Sequence, residues 1–561
     1  MADKRFLRRF PTPRLMLDWL VVALLAAGMA MLYGPHLDAP LIFDDIDFFG
    51  GNYASLIGGE FSPLALRYWS TWTFAFQRIV FGDDPAMFRL VNIGLHVLVG
   101  AALFLFIRTL HALALAGEHL RQSADARNGN TRWAIWLSVA LFLSHPVAVY
   151  GVAYLVERSI LMATLFCLLM WWAHCRGLDS GRPAWFALAA AFCYFALYSK
   201  EHSVMAPAVA VLLTLLVPHR PADRRLLFLV FLLYFVLALS VVIASKSRIA
   251  SVYEPWLSGS VNISHPYLSS VLTQSALYFK YIFLWGVPLT SWMSIDIREP
   301  LRELGSIWSW LSLCGYILYG MLGLVLVLRR GRAGLLGFAM LAPALLFMTE
   351  LATVRIQESF VLYRSYLWLP PMLVGMPLLF EQLNRRNGKL TMLLGLVTVC
   401  IFVVLATQRL NTFSSSLLIW DEAIHLAERR GDKSLRDRQY VNRGGAYLAA
   451  RNFDLALQDF ERALQWNPDH AFALLGRGRT LVQLGQLDQA MASLDRALIL
   501  KPGWVDAYLA RAGLHIQRGD RQAASADFDA ACAQKSLLAC YAKEKMLYGT
   551  SAPVTITVSN P

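Results

Sequence analysis

The chain has 561 residues, of which 57% are hydrophobic and 16% are charged. A soluble globular domain is closer to half apolar and a quarter charged, so this composition excludes an ordinary soluble enzyme and, more firmly, a disordered chain. The 51 Lys and Arg exceed the 38 Asp and Glu by 13. Because most of this positive charge lies in short loops between apolar runs, the sequence predicts an integral membrane protein, with membrane lipids and not nucleic acid as its surroundings.

The hydropathy pattern predicts an all-α, polytopic membrane domain with about eleven spans. The first apolar run, from about residue 15 to 33, follows a basic segment and has no small-residue cleavage site after it, so we interpret it as an uncleaved span. Ten further runs lie near residues 90–110, 133–150, 157–173, 184–198, 203–217, 226–245, 306–328, 333–349, 361–380 and 389–407. Charges interrupt two long stretches at Glu157-Arg158 and at residues 199–202, and a hairpin with its turn at the membrane interface accommodates each.

The distribution of basic residues orients these spans. One face holds nineteen Lys and Arg in its short loops, which are residues 1–14, 111–132, 174–182, 218–225, 329–332 and 381–389. The short loops of the other face hold only Arg158, Lys200 and Arg355. The positive-inside rule therefore predicts a cytoplasmic N-terminus, an odd number of spans and an extracytoplasmic location after about residue 408. If either hairpin were instead a single re-entrant helix, the number of spans would be even, and the part of the chain after about residue 408 would be cytoplasmic.

Two predicted outward loops are long, roughly residues 34–88 and 246–304. Structureless loops of this length are uncommon unless they are functional. The first is rich in aromatic residues, and it sets Arg67 and Arg78 against seven acidic residues: Asp38, Asp44, Asp45, Asp47, Glu60, Asp83 and Asp84.

Asp44 and Asp45 are the candidate catalytic residues of this loop. They are adjacent carboxylates among Ile and Phe, about ten residues after the first span. Mutual repulsion and partial desolvation raise the pKa of such a pair, so that one member can serve as a general base. A solvated acidic turn is the open alternative. A divalent metal site is less favoured, because no His lies at a usable spacing.

A repeat with a period of 34 residues begins near residue 437. Positions 34 residues apart are occupied by Arg443-Gly444, Arg477-Gly478 and Arg511-Ala512, by Ala456, Ala490 and Ala524, and by Ala463, Ala497 and Ala531. This spacing of small residues on paired helices is typical of tetratricopeptide repeats, whose concave surface commonly holds a peptide. The predicted divisions are a membrane domain (1–410), a linker (411–436), repeats (437–470, 471–504 and 505–538), a capping helix (539–548) and a tail (549–561).

Cys532 and Cys540 close the third repeat. On one unbroken helix they would lie about 12 Å apart, too far for a disulfide, whereas a helix that ends near Ser536 would let them meet. Their spacing resembles the bridged pair of Sel1-like repeats. A disulfide, which suits an oxidising compartment, and a pair of buried thiols both remain open.

Six short stretches dispersed along the chain form a set. They are Asp44-Asp45, Phe88 to His96, Ser144 to Val147, Val156 to Arg158, Ser199 to His202 and Tyr363 to Pro370. In this order they resemble the GT-C glycosyltransferases, and in particular the TMTC protein O-mannosyltransferases, which join a membrane domain to tetratricopeptide repeats. The resemblance implies a GT-C-type helical domain, a dolichyl- or polyprenyl-phosphate sugar as donor, inverting transfer on the outer face, and the acidic pair in the active site.

Three basic residues are candidate ligands of the donor phosphate: Lys200, Arg158 and Arg364. Arginine can bind two phosphate oxygens with its planar fork, but ion pairs with Glu157 or Glu358, or an interfacial charge cluster, are the alternatives. Glu201, His202, His145 and Tyr366 are further candidates for the substrate site. We expect Asn92 and His96 to form hydrogen bonds between helices.

The sequence thus favours an enzyme that glycosylates Ser or Thr of a protein acceptor held near the repeats, with no cofactor besides the lipid-linked sugar. The size and short repeat array suggest a bacterial protein of the inner membrane with periplasmic repeats. Transfer to a lipid or glycan, of the lipid A or O-antigen type, is one alternative. A non-enzymatic scaffold that docks envelope proteins through its repeats is another.

Overall fold

The computed structural model describes residues 13–42, 44–49, 62–116, 124–218, 224–257, 265–355, 358–431, 437–534 and 536–548. These residues form helices and turns, and within them the only β-pairing is an isolated bridge between Ile297 and Phe360. Two compact units are present: one from Met1–Leu41 and Asn52–Ser414, called the membrane unit here because it contains the long apolar helices, and a repeat unit from Ile42–Gly51 and Ser415–Pro561. The all-α class is confirmed.

The longer helices of the membrane unit are numbered here in chain order. They are α1 Pro13–Tyr33, α2 Tyr68–Phe81, α3 Pro85–Ala114, α4 Ala124–Ser144, α5 Arg158–Ser180, α6 Pro183–Leu197, α7 Ala206–Leu216, α8 Arg224–Leu257, α9 Pro266–Gly286, α10 Ile307–Leu328, α11 Gly331–Leu351 and α12 Met376–Phe413. Most of α5 is buried, whereas α10 leaves most of its apolar side chains exposed. The unit therefore packs around α5, and α10 presents a surface suited to lipid.

In the part of the chain that the structure describes, seven helical segments are long and apolar enough to cross a membrane: Met16–His36, Pro85–Ala114, Leu155–Ser180, Arg224–Ser245, Ile307–Leu328, Gly331–Leu351 and Pro370–Phe413. The bent pair Arg132–Ser144 and Pro146–Val152, with an angle of 49°, would make an eighth, and α6 and α7 belong to shorter apolar helices. The structure differs most from the eleven predicted apolar runs at residues 361–380. There, short helical turns precede α12, and Pro370-Pro371 lacks the N–H groups of a continuous helix.

Three segments expected to be loop or linker contain helices. The predicted loop 34–88 contains α2, and the predicted loop 246–304 contains the end of α8 and all of α9. The predicted linker 411–436 contains Ser416–Arg429, which buries Ile419, Trp420 and Ile424 on one face and so behaves as an amphipathic helix. Glu60 and the tail 549–561 lie outside the described residues.

The repeat unit continues the numbering from α13 to α20. Its helices are α13 Ser416–Arg429, α14 Asp437–Ala449, α15 Phe453–Trp466, α16 Ala471–Gln483, α17 Leu487–Leu500, α18 Val505–Gln517, α19 Arg521–Ala533 and α20 Leu537–Tyr548. Within each repeat the small residues permit close approach: a methyl group on Gly478 would meet Leu494 at 2.8 Å. Helix α19 ends before Ser536, so Cys532 and Cys540 meet in a disulfide with their Cα atoms 5.0 Å apart.

An arginine and an aspartate tie the two helices together in the first and third repeats. Arg443 donates two hydrogen bonds to Asp459, at 2.7 and 2.9 Å, and Arg511 donates a matching pair to Asp527. The hydrogen bond to Asp459 raises the pKa of the Arg443 guanidinium above its ordinary value. In the second repeat the aspartate is replaced by the buried Ser493, which accepts one bond of 3.2 Å from Arg477.

The substitution Ser493→Asp is expected to stabilise the second repeat, because it gives Arg477 the bidentate partner that its two counterparts have. We expect the free energy of unfolding of α16 and α17 to rise by about 1 kcal/mol. Hydrogen–deuterium exchange of residues 471–500 in the full-length protein should slow about fivefold. Ser493→Asn, which has the same shape without the charge, is the matched control. Equal exchange in the two variants would contradict the prediction.

Candidate functional site

The interior of the membrane unit contains a group of charged side chains, here called the charged cluster. Its members are Arg67, Glu157, Lys200, Glu201, His202, Glu350, Arg355, Glu358 and Arg364. They come from the start of α2, the start of α5, the segment between α6 and α7, the end of α11 and the loop after it. Charges buried among apolar helices are costly unless they are paired, so their convergence is a strong constraint on the fold.

Glu350 is the centre of the charged cluster. Its side chain is 1% exposed, and its Oε2 lies 3.1 Å from Arg364 Nη1 and 3.3 Å from Arg355 Nε. Its Oε1 lies 3.1 Å from His202 Nε2. Arg364 also donates a 2.6 Å hydrogen bond to Glu358. Burial acts to lower the pKa of the Arg364 guanidinium, but the Glu350 carboxylate raises it well above its ordinary value, so Arg364 is fixed in its charged form.

A second group of ion pairs in the cluster involves the residues that follow α6. Lys200 Nζ lies 3.2 Å from Glu157 Oε2, and both side chains are almost fully buried. Burial and the charge of Arg67 lower the pKa of the Lys200 ammonium, which Glu157 opposes. Glu201 accepts a 3.1 Å hydrogen bond from Arg67 Nε.

The ring of Tyr363 lies close to both groups of ion pairs, the one around Glu350 and the one around Lys200. Its centroid lies 5.6 Å from Lys200 Nζ and 5.8 Å from Arg364 Cζ. Lys200 and Arg364, both predicted phosphate ligands, therefore lie beside the same aromatic ring. Arg364 pairs with Glu358, one of the two carboxylates named as alternative partners of the arginines, whereas the other, Glu157, pairs with Lys200.

Arg158 is fully buried and donates hydrogen bonds to neutral groups. Its Nε donates to Asn92 Oδ1 at 2.8 Å, and its Nη2 donates to the Phe88 carbonyl at 2.9 Å. The ring of Phe74 lies 3.8 Å from its Cζ. Arg158 therefore holds α2 and α3 against α5. Two of its hydrogen-bond acceptors, Asn92 and the Phe88 carbonyl, belong to the stretch Phe88 to His96.

Two of the other candidate residues are directed at neighbouring helices. Tyr366 shares a 2.6 Å hydrogen bond with His96 Nδ1, whose Nε2 lies 3.0 Å from the Leu143 carbonyl. The ring of His145 stacks on Trp285 with 4.4 Å between centroids. The expectation that Asn92 and His96 form hydrogen bonds between helices is confirmed.

Asp44 and Asp45 belong to the repeat unit. They begin a single helical turn, Asp44–Asp47, in which Asp44 is exposed and Asp45 is fully buried. The Asp45 N–H donates a 2.9 Å hydrogen bond to the Ile42 carbonyl. The two adjacent acids thus have different surroundings, which gives a physical basis for different roles.

The repeat unit has an open face on the first helices of its repeats. Helix α14 contacts α16, and α16 contacts α18, as in a concave tetratricopeptide surface. Gly445, Arg479 and Gly513 are 34 residues apart, and a methyl group on either glycine would meet no described atom within 4 Å. Arg479 Nη2 lies 3.7 Å from Asp506 Oδ1, and burial lowers the pKa of the Arg479 guanidinium. This face presents a partly desolvated cation suited to an acidic partner.

No group of three or more His, Cys, Asp or Glu side chains is arranged to hold a metal ion in the part of the chain that the structure describes. The carboxylates of the charged cluster are instead paired with basic side chains.

Residues 447–514, which extend from α14 into α18, match the tetratricopeptide repeat family. No curated protein matches the chain. Together with the apolar helices, the match defines the class: an all-helical protein with several segments able to cross a membrane and a C-terminal tetratricopeptide region. Such repeats generally mediate protein–protein interactions, which is consistent with a protein partner.

Sequence reasoning missed Glu350. It lies just past the predicted apolar run at 333–349. An acidic residue at the end of an apolar helix is itself a signal, because it needs a partner at that depth. The identities of its partners follow only from the tertiary structure.

The substitution Glu350→Gln is expected to destabilise the membrane unit, because it leaves Arg355 and Arg364 buried beside a neutral amide. The expected loss is about 3 to 5 kcal/mol, the cost of breaking a buried ion pair. Thermal unfolding of the detergent-solubilised full-length protein measures it. Glu303→Gln, at an exposed position of the same unit, should leave the midpoint unchanged. Equal midpoints for the two variants would contradict the proposed central role of Glu350.

Proposed function

We propose that the chain is a membrane glycosyltransferase that moves a sugar from a polyprenyl-phosphate donor to Ser or Thr hydroxyls of a protein, with inversion. One observation carries the proposal. Three of the stretches that resemble the GT-C enzymes, Val156 to Arg158, Ser199 to His202 and Tyr363 to Pro370, contribute charges to one buried cluster, although they are far apart in the chain. A fourth, Phe88 to His96, supports it through Arg158 and Tyr366.

The charged cluster offers basic side chains to a lipid-linked sugar phosphate. Its ion pairs join four Lys and Arg to four Glu, without His202. A phosphodiester that joins a lipid to a sugar carries one negative charge and can take the place of a carboxylate. Glu358 is 44% exposed, so Arg364 can exchange this carboxylate for phosphate oxygens while Glu350 keeps its place.

The proposed reaction uses one of the two acids as a general base. Asp44 or Asp45 takes the proton of the acceptor hydroxyl as its oxygen attacks the anomeric carbon. The bond between that carbon and the phosphate oxygen breaks, and the polyprenyl phosphate leaves with the electron pair. A single displacement of this kind inverts the anomeric centre.

We propose that the repeats and the acidic pair face the periplasm of a bacterial cell, with the N-terminus in the cytoplasm. The distribution of basic residues supports this orientation. So does the disulfide between Cys532 and Cys540, which forms in oxidising compartments. The grouping of Ile42–Gly51 with the repeats is what a shared compartment requires.

The substitutions Asp44→Asn and Asp45→Asn test the catalytic proposal. Loss of a general base is expected to slow sugar transfer by about 10²- to 10⁴-fold. Mass spectrometry of envelope proteins, from cells that carry each variant in place of the wild type, measures the transferred sugar, and protein abundance should stay unchanged. Asp38→Asn, an exposed acid of the same loop, is the control and should retain activity. Full transfer in both variants would refute the catalytic role and leave the scaffold alternative.

The nature of the acceptor separates the proposal from transfer to a lipid or glycan. Deleting the repeats is a poor test, because Ile42–Gly51 groups with them and would lose its surroundings. A substitution on the open face avoids this problem. Arg479 lies on that face, whereas Arg496 lies on the second helix of the same repeat and is half exposed.

We expect Arg479→Glu to lower glycosylation of the protein acceptor about tenfold, because it reverses the charge of the binding face, and Arg496→Glu to leave it unchanged. The ratio of modified to unmodified acceptor peptides provides the measurement. Undiminished sugar transfer with Arg479→Glu would instead favour a lipid or glycan acceptor.

A further inference from the structure

A cavity of about 450 Å³ lies in the membrane unit between the ends of three helices. The end of α3 contributes Arg108 and Leu113, the end of α5 contributes Trp172, Arg176 and Asp179, and the start of α6 contributes Trp185. The cavity is separate from the charged cluster, and nothing in the proposed reaction uses it.

The length of α5 determines where the cavity lies relative to the charged cluster. Glu157, directly before the start of α5, belongs to the charged cluster, and Arg176, near the end of α5, lines the cavity. Eighteen residues of continuous α-helix span about 27 Å. This length is close to the thickness of the hydrocarbon core of a bilayer, about 30 Å. The charged cluster and the cavity therefore lie at opposite faces of the membrane.

The chemistry of the cavity is that of a membrane interface. Trp172 and Trp185 meet edge to face with 5.3 Å between ring centroids, and Arg176 Cζ lies 5.6 Å from the Trp185 ring. Indole rings favour the head-group level of a bilayer. Leu113 contributes to an apolar wall along which an acyl chain can lie.

Among the described residues, the acidic partners of the two arginines lie at the long end of ion-pair distances. Arg176 lies 3.6 Å from Asp179, and Arg108 lies 3.6 Å from Asp18. Asp18 is more closely paired with Arg132, at 2.6 Å. Arg108 and Arg176 are 57% and 43% exposed, so both can turn toward an incoming anion.

We propose that this cavity binds an anionic phospholipid of the leaflet opposite the charged cluster. The phosphate lies between Arg108 and Arg176, the glycerol region lies against the two indoles, and one acyl chain follows the apolar wall. Two arginines and one aspartate leave the lining with a net positive charge, which complements a head group that keeps its negative charge. A soluble phosphate would bind the arginines but would gain nothing from the apolar wall. The inference does not depend on the proposed glycosyltransferase activity.

Native mass spectrometry of the full-length protein in detergent tests the proposal. The protein is titrated with phosphatidylglycerol or with zwitterionic phosphatidylcholine, and the bound lipids are counted. We expect one phosphatidylglycerol to bind with preference, and the double substitution Arg108→Gln and Arg176→Gln to weaken it roughly thirtyfold, as the loss of two cations near an anionic lipid predicts.

Three controls make the outcome decisive. Arg182→Gln, an exposed arginine at the start of α6 outside the cavity lining, should retain the lipid. The charge-conserving pair Arg108→Lys and Arg176→Lys should retain most of the binding, which separates charge from folding. Inorganic phosphate at millimolar concentration should not displace the lipid. Equal affinity for the two lipids, equal loss with Arg182→Gln, or displacement by phosphate alone would overturn the proposal.

Discussion

The buried carboxylate of Glu350 is the constraint on which the interior of the membrane unit depends. It balances Arg355 and Arg364 and accepts His202 as a third neighbour, with almost no access to solvent. In a low-dielectric interior each of these cations would be prohibitive without its partner. The end of α11, the loop that follows it and the segment before α7 are therefore held at one point, and the neighbouring Lys200 and its partners are positioned around it.

The charged cluster has a buried centre and partly exposed residues at its periphery. Glu350 and Glu157 are almost fully buried with their partners, whereas Glu358 and the pair of Arg67 with Glu201 are partly exposed. An anionic substrate can thus replace a partner at the periphery without leaving a buried charge unpaired at the centre. In the proposed function, this division separates residues that support the fold from residues that exchange a carboxylate for a phosphate, with Arg364 proposed as the phosphate ligand.

The repeat unit depends on different physics. Small residues at a fixed period bring paired helices together, and the arginine–aspartate pairs of the first and third repeats add directional contacts. The sequence positions of Ile42–Gly51 and of the repeats differ by more than 350 residues, yet they group in one compact unit. The repeats therefore provide an open face for a partner and also the surroundings of the acidic segment, so that partner binding and the position of Asp44 and Asp45 are linked in the proposed mechanism.

The sequence by itself determined the helical class, most of the apolar helices, the three repeats and the set of charged residues that require an explanation. These properties are local or periodic: hydropathy needs only a window of neighbouring residues, and a repeat needs only its own copies. Only the tertiary structure decided that Glu350 is the centre of the cluster, that Arg158 supports helix packing, and that α2, α9 and α13 are helices where loops were expected. Ion pairs join residues distant in sequence, and several carboxylates could partner each cation until the packing of the helices selected one.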